Sequence, residues 1–136
     1  MKRGKTRKTD EMFSTYIRTR DGWKCLACTK SKDYSNNRQG LHCSHYWGCG
    51  RENTRFDPEN CILLCTYHHI YAWGHGDGRN EYTAFMIKRL GQEGFDKLDV
   101  RAHLTKKQDD KLDKIAISEL MKEVLNDRSQ ANCGNL

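Results

Sequence analysis

The chain has 136 residues, a length typical of one domain with a modest apolar core. Only 36% of the residues are hydrophobic, and 31% are charged. No segment approaches the ~20 apolar residues of a membrane span, and the basic N-terminus is not followed by the apolar stretch of a signal peptide. These properties exclude a membrane protein and predict a cytoplasmic one, while the net charge of +6 favours an acidic partner such as nucleic acid.

The positive charge is concentrated near the N-terminus. Residues 1–40 contain 11 Lys and Arg against 4 Asp and Glu. The basic residues among the first eight are Lys2, Arg3, Lys5, Arg7 and Lys8. Such a density suits contacts with DNA phosphates, whereas the alternative is a disordered tail that only aids solubility. We predict a basic N-terminal arm over residues 1–10.

The first predicted helix covers residues 11–20, with Thr9-Asp10 as its N-cap. Apolar side chains recur along it at helical spacing, which indicates a face packed on the core. These residues are Met12, Phe13, Tyr16 and Ile17. Asp21-Gly22 ends the helix, and residues 31–40 are polar and predict an exposed loop.

Two short pairs of metal ligands are separated by the middle of the chain. Cys25-Leu-Ala-Cys28 and Cys65-Thr-Tyr-His68 share one spacing, and together they offer the four soft or borderline ligands of a tetrahedral structural zinc. The chain has seven cysteines, an odd number, so a disulfide scaffold fits less well than a zinc site in a reducing compartment.

Residues 41–46 and 61–65 are predicted to be strands, joined by a loop rich in turn residues. Arg51 and Arg55 lie in that loop and are candidate DNA contacts. Arg55 can hold a phosphate through its planar guanidinium group, or it can pair with Asp57 or Glu59. Asn60, at the loop end, is expected to tie the loop together through side-chain to backbone hydrogen bonds.

The order His45, Asn60, His69 resembles the HNH nuclease motif, in which a β-hairpin and a helix hold one divalent ion. The resemblance narrows to the NinG/Rap family of phage recombination nucleases and spans roughly residues 13–126. It rests on four stretches in the family's order: Phe13-Ser-Thr-Tyr-Ile-Arg-Thr-Arg-Asp21, His42-Cys-Ser-His-Tyr46, Arg55-Phe-Asp-Pro-Glu-Asn60 and Arg89-Leu-Gly-Gln-Glu93.

The resemblance implies an α+β fold: a small zinc-stapled ββα-metal core with flanking helices. It implies that His45 is the general base, Asn60 an orienting residue and His69 a ligand of one catalytic divalent ion. Many HNH proteins have a metal-binding Asp where this chain has Ser44, so His42 becomes the substitute ligand. The alternative for His42 is a strand histidine bonded to a neighbour, and His75 is a reserve ligand.

Without the Asp, the predicted site offers nitrogen ligands, which suit Mn, Ni, Co or Zn better than Mg. His68 and His69 are adjacent on a predicted helix over residues 68–74, so one can serve the structural zinc and the other the catalytic ion.

The C-terminal part predicts helices over residues 80–90, ended by Gly91, over residues 92–98, and from Thr105 onward. The last helix is amphipathic; it can pack on the domain or form a homodimer. Its apolar residues are Leu112, Ile115, Ile117, Leu120, Met121, Val124 and Leu125. We predict one nuclease domain over residues 11–126 and a disordered tail over residues 127–136.

The sequence therefore predicts an HNH-type DNA endonuclease with a structural zinc and one catalytic divalent ion (Mn, Ni, Co, Zn or Mg). The family resemblance implies branched DNA such as Holliday junctions, and the host-cell cytoplasm if the gene belongs to a phage. The main alternative is a zinc-containing nucleic-acid-binding module without catalysis, which needs neither His45 nor His69. A second alternative is a structural zinc protein that binds a partner through its last helix.

Overall fold

A two-stranded antiparallel hairpin lies at the centre of an α+β structure. The structure is a computed structural model, and it describes residues 6–28, 40–74 and 76–133, with side chains up to residue 129. The elements in chain order are α1 (Lys8–Arg20), β1 (Leu41–His45), α2 (Glu52–Arg55), a 3-10 turn (Pro58–Asn60), β2 (Cys61–Cys65), a π-helix (Tyr67–Ala72), α3 (Gly78–Ala102) and α4 (Asp110–Cys133).

The hairpin pairs Leu41 with Cys65 at one end and His45 with Cys61 at the other. All five residues of β2 are buried, because its apolar run is covered on both faces. Both predicted strands are confirmed, and β1 ends at His45, one residue earlier than predicted. The hairpin therefore forms the floor on which the helices and the candidate sites are built.

Helix α1 is fixed to the hairpin by apolar packing and by two arginines. Its predicted apolar face is buried, with Ile17 fully enclosed. Arg18 donates to the carbonyl oxygen of Leu41 at 2.9 Å. Arg20 donates to the carbonyl oxygens of Pro58 and Cys61 at 2.6 and 2.5 Å. These charged donors satisfy carbonyl groups at both ends of the hairpin.

Helix α1 begins at Lys8, three residues before the predicted start, and its N-cap is Arg7, so the prediction of Thr9-Asp10 as the N-cap is wrong. The Asp10 carboxylate accepts a hydrogen bond from the backbone N–H of Arg7 at 2.7 Å, as in a capping box. The same carboxylate accepts two hydrogen bonds from the guanidinium group of Arg55, at 2.6 and 2.8 Å. Asp10 therefore joins the start of α1 to the loop between the strands.

Helix α3 consists of two helical segments that meet at Gly91, as the sequence predicts. Gly91 has φ +77° and ψ 161°, a backbone conformation that residues with a Cβ rarely adopt. Tyr82 and Met86 in the first segment and Leu98 in the second are buried against the hairpin and α1 core.

Helix α4 packs along α1 through Ile117, which is buried. Further apolar contacts with the core come from Leu120, Met121 and Val124. The other apolar residues of the predicted face, Leu112, Ile115 and Leu125, are exposed. The backbone helix continues to Cys133, so residues 127–133, placed in a disordered tail by the sequence analysis, extend α4.

None of the helices in the described residues is both long and apolar enough to cross a membrane.

Replacing Asp10 with Asn should destabilise the fold by about 1.5–3 kcal/mol at neutral pH, the cost of hydrogen bonds to a charged group. Burial alone would raise the pKa of Asp10, but hydrogen bonds from Arg55 and from the Arg7 backbone outweigh it and lower the pKa below its ordinary 3.8. This stabilisation is present above that ordinary value and is lost as the pH falls through the lowered pKa.

The measurement is urea unfolding of both proteins as a function of pH. The difference between them should narrow below about pH 4. Glu93→Gln is the control, because its ion pair with Lys97 is exposed and should change stability by no more than about 0.5 kcal/mol. Equal stability of Asp10→Asn and wild type at pH 7 would contradict the assigned role.

Candidate metal centre and active-site cleft

Four predicted zinc ligands meet at one point. The Nδ1 atom of His68 lies 3.7, 3.5 and 3.3 Å from the Sγ atoms of Cys25, Cys28 and Cys65, and the Sγ atoms of Cys28 and Cys65 are 3.7 Å apart. In a tetrahedral zinc site with Zn–S of about 2.3 Å and Zn–N of about 2.0–2.1 Å, ligand atoms lie about 3.5–3.8 Å from one another. The donor set and the spacing both fit zinc, so this cluster could hold one zinc ion.

The protonation of the thiols supports the same conclusion. Burial, with hydrogen bonds to Cys25 and Cys65, raises the pKa of Cys28 to about 12. Three thiols this close can ionise together only if a cation neutralises them, and zinc binds thiolates. The cluster is therefore suited to a metal ion rather than to thiol chemistry.

Local hydrogen bonds bring the two ligand pairs together. The backbone N–H of Leu26, inside the first pair, donates to the carbonyl oxygen of Leu63 at 3.0 Å. The N–H of Leu63 donates to the carboxylate of Asp21, also at 3.0 Å. The first pair is thus fixed along the outer edge of β2, whose last residue is Cys65. The π-helix that follows carries His68.

Replacing Cys28 with Ala should remove one tightly held zinc per chain and largely unfold the protein, because metal binding at such a site is coupled to folding. Metal analysis of the purified protein and circular dichroism measure the two effects. Cys133→Ser controls for the loss of one thiol near the C-terminus. A folded, zinc-free Cys28→Ala protein would contradict the structural role of this cluster.

A cleft of about 470 Å³ opens between α1, the π-helix and the loop that joins β1 to β2. It brings together three of the predicted site histidines. Its lining residues are Thr6, Asp10, Glu11, Ser14, Arg18, His42, Cys43, His45, Cys49, Gly50, Arg55 and His69. The volume and the mixture of charged and imidazole groups suit a polar ligand.

His45 is held in the cleft by a hydrogen bond to the backbone. Its Nε2 atom lies 2.8 Å from the carbonyl oxygen of Arg55. A carbonyl oxygen only accepts hydrogen bonds, so Nε2 carries the proton and, in the neutral ring, Nδ1 has the lone pair. The Phe13 ring, with its centroid 6.2 Å from that of His45, packs beside the imidazole. The ring is thus oriented with Nε2 on the Arg55 carbonyl and Nδ1 beside the Sγ atom of Cys49, 3.5 Å away.

Asn60 ties the loop together as the sequence predicts. Its side-chain oxygen accepts from the N–H of Trp47 at 2.9 Å, and its side-chain nitrogen donates to the carbonyl oxygens of Trp47 and Thr54 at 2.9 and 3.0 Å. Asn60 is fully buried, so it cannot touch a substrate. It fixes the backbone that continues from His45.

His42 and His69 face each other across the cleft. Their rings stack with centroids 4.8 Å apart and planes 16° apart, and Nε2 of His42 lies 3.0 Å from the hydroxyl of Thr66. A ring nitrogen binds a metal ion in the plane of its own ring, and two nearly parallel stacked planes do not meet at one ion. Both imidazoles could therefore bind one divalent ion only after one of the rings turns.

Ser44 takes no part in this cleft. It is buried and its hydroxyl lies 2.9 Å from that of Tyr82 in α3. Ser44 is therefore part of the core, and His42 and His69 are the predicted ligand positions that line the cleft.

The arginines proposed to contact DNA have intramolecular partners. Arg7 pairs with Glu52 at 3.0 Å, and Arg51 stacks over Trp47 and donates to a backbone carbonyl of α3. Arg55 pairs with neither Asp57 nor Glu59 but with Asp10. Lys8 is exposed at the start of α1. Lys2, Arg3, Lys5 and His75 lie outside the described residues.

Three cysteines beside His45 were not predicted as part of a site. The ligand atoms of Cys43, His45 and Cys61 all lie within 4.8 Å of one another, so this second cluster could also hold a metal ion. A hydrogen bond from Cys61 lowers the pKa of Cys43, while burial raises that of Cys61. Cys49 Sγ lies 3.5 Å from Nδ1 of His45. Only the strand register, which sets Cys61 opposite His45, could have indicated this grouping.

Comparison of the chain with protein-family models, curated proteins and solved structures gives no match.

Proposed function

We propose that the protein is a metal-dependent DNA endonuclease of the HNH type that hydrolyses phosphodiester bonds. The observation that carries the proposal is the imidazole of His45, which lines a polar cleft and is oriented by the carbonyl oxygen of Arg55. A histidine held through Nε2 and basic at Nδ1 is what a general base requires. A module that only binds nucleic acid needs no such arrangement.

In this mechanism Nδ1 of His45 takes the proton from the attacking water, and the carbonyl of Arg55 stabilises the imidazolium that forms. The carbonyl is itself fixed, because the side chain of Arg55 is bound by Asp10 and donates to the carbonyl oxygen of Cys49 at 3.1 Å. Asn60 holds the loop in register with β1. The chain thus positions the base before any substrate binds.

His42 and His69 would hold the divalent ion. When bound, that ion would neutralise the charge on the scissile phosphate and its leaving oxygen. Two imidazoles favour Mn, Co, Ni or Zn over Mg, because Mg prefers oxygen ligands. Arg18 also lines the cleft, but it is buried and donates to the carbonyl oxygen of Leu41, so its charge would act on a bound phosphate without direct contact.

Branched DNA and a role in phage recombination are proposed from the resemblance of four sequence stretches to the NinG/Rap family. The basic arm supports DNA as the partner. The alternative is a zinc-containing nucleic-acid-binding module without catalysis, for which the same arm would serve.

His45→Ala should keep the zinc, the fold and DNA binding but should cut DNA ~100-fold more slowly or worse, the usual contribution of a general base. Cleavage of plasmid and of a four-way junction with Mn²⁺ measures the effect. His103→Ala is the control, because His103 is exposed, lies outside the cleft, and should leave cleavage unchanged. Equal rates for His45→Ala and wild type would place the base elsewhere. Absence of cleavage by wild type with every divalent ion would favour the binding module.

Changing Lys2, Arg3, Lys5 and Lys8 together to Gln should weaken binding to every DNA sequence and reduce its salt dependence, because phosphate contacts release counterions. Arg7 is kept, since it pairs with Glu52. Binding is measured by fluorescence anisotropy over a range of salt concentrations.

The control removes the same charge from exposed lysines of α3 and α4, namely Lys88, Lys97, Lys114 and Lys122. If both variants lose affinity equally, the effect belongs to net charge and not to the arm.

A further inference from the structure

The side chains of Cys43, His45 and Cys61 share one face of the hairpin because of the strand register. Cys43 and His45 are two residues apart on β1, and Cys61 is the cross-strand partner of His45. Their ligand atoms lie within 4.8 Å of one another. A metal site could therefore form here with little movement of the backbone, because both strands are fixed by the ladder.

Cys49 approaches the same imidazole from the loop. Its Sγ atom lies 3.5 Å from Nδ1 of His45, close to the spacing of sulfur and nitrogen ligands on one tetrahedral ion. Cys49 is exposed, whereas Cys61 is buried. The group thus reaches from the core of the hairpin to the surface of the cleft, which gives an ion a route from solvent.

We infer that Cys43, His45 and Cys61 form a second site for a thiophilic divalent cation of the zinc class, and that Cys49, whose Sγ atom lies beside His45, is the nearest further thiol at the cleft surface. Sulfur ligands select such cations over Mg²⁺ and Mn²⁺, which prefer oxygen. This site is separate from the Cys25, Cys28, Cys65 and His68 cluster, and it differs from the His42 and His69 pair in having thiols as its main ligands.

Occupancy of this site blocks the proposed reaction. Nε2 of His45 is bonded to the carbonyl of Arg55, so Nδ1 is the nitrogen that a metal ion would bind. The same nitrogen must accept the proton of water during hydrolysis. The chain therefore contains a metal site that includes its proposed general base and inhibits it. The inhibition rests on the proposed function, whereas the metal site does not.

The first test is a titration of the zinc-containing full-length protein with Co²⁺ under reducing conditions. Wild type should develop the thiolate-to-cobalt absorption of one further equivalent, whereas cobalt bound by His42 and His69 has no thiolate ligand and adds no such absorption. Cys43→Ser should bind that equivalent about 100-fold more weakly, since even indirect ligand changes cost 10–100-fold. Metal analysis must show one retained zinc in both proteins, so that exchange at the structural cluster is excluded.

Two controls keep this test decisive. Cys133→Ser should titrate like wild type, and His45→Ala should weaken binding as Cys43→Ser does, which provides a second variant if Cys43→Ser fails to fold. Absence of thiolate-to-cobalt absorption in wild type would overturn the site, and so would unchanged absorption in Cys43→Ser.

The second test compares cleavage by each protein with Mn²⁺ alone and with added Zn²⁺. Zinc should inhibit wild type, and about 100-fold more zinc should be needed to inhibit Cys43→Ser to the same fraction. Equal sensitivity would overturn the inhibition. If wild type cuts no DNA at all, the proposed function fails, and the cobalt titration still decides whether the metal site exists.

Discussion

The cluster of Cys25, Cys28, Cys65 and His68 is the constraint on which the rest of the structure depends. A polar chain of this length buries a limited core, and a metal ion bound by this cluster would add a cross-link between segments about 40 residues apart. The cross-link would fix the end of β2 and the start of the π-helix. Those two positions determine where His69 lies, so the structural cluster also sets one wall of the cleft.

Arg55 connects the opposite wall of the cleft to the rest of the fold through its guanidinium group and its backbone carbonyl. Its side chain is bound by Asp10 at the start of α1, and its backbone carbonyl orients His45. A residue expected from the sequence to meet a phosphate or a neighbouring acid therefore binds Asp10 and orients His45 instead. The charge of Arg55 is largely neutralised by Asp10, so the positive charge facing a DNA backbone would have to come mainly from the arm.

The two thiol-containing clusters lie at opposite ends of β2, at Cys61 and Cys65. One has four ligand atoms at close to tetrahedral spacing, which suits permanent binding. The other has three ligand residues and includes the imidazole proposed as the base, which suits reversible binding. The same short strand would therefore support both the stability of the domain and the control of its activity.

The sequence by itself determined the two strands, the apolar face of α1, the break at Gly91 and the two residue pairs that meet in the Cys25, Cys28, Cys65 and His68 cluster, because each depends on local spacing or periodicity. It also indicated that Asn60 would bind its own loop, since short amide side chains form such local bonds. Only the tertiary structure decided the partner of Arg55, the burial of Ser44 against Tyr82 and the stacking of His42 on His69. These contacts join residues far apart in the chain, and the strand register and helix packing that bring them together cannot be obtained from periodicity.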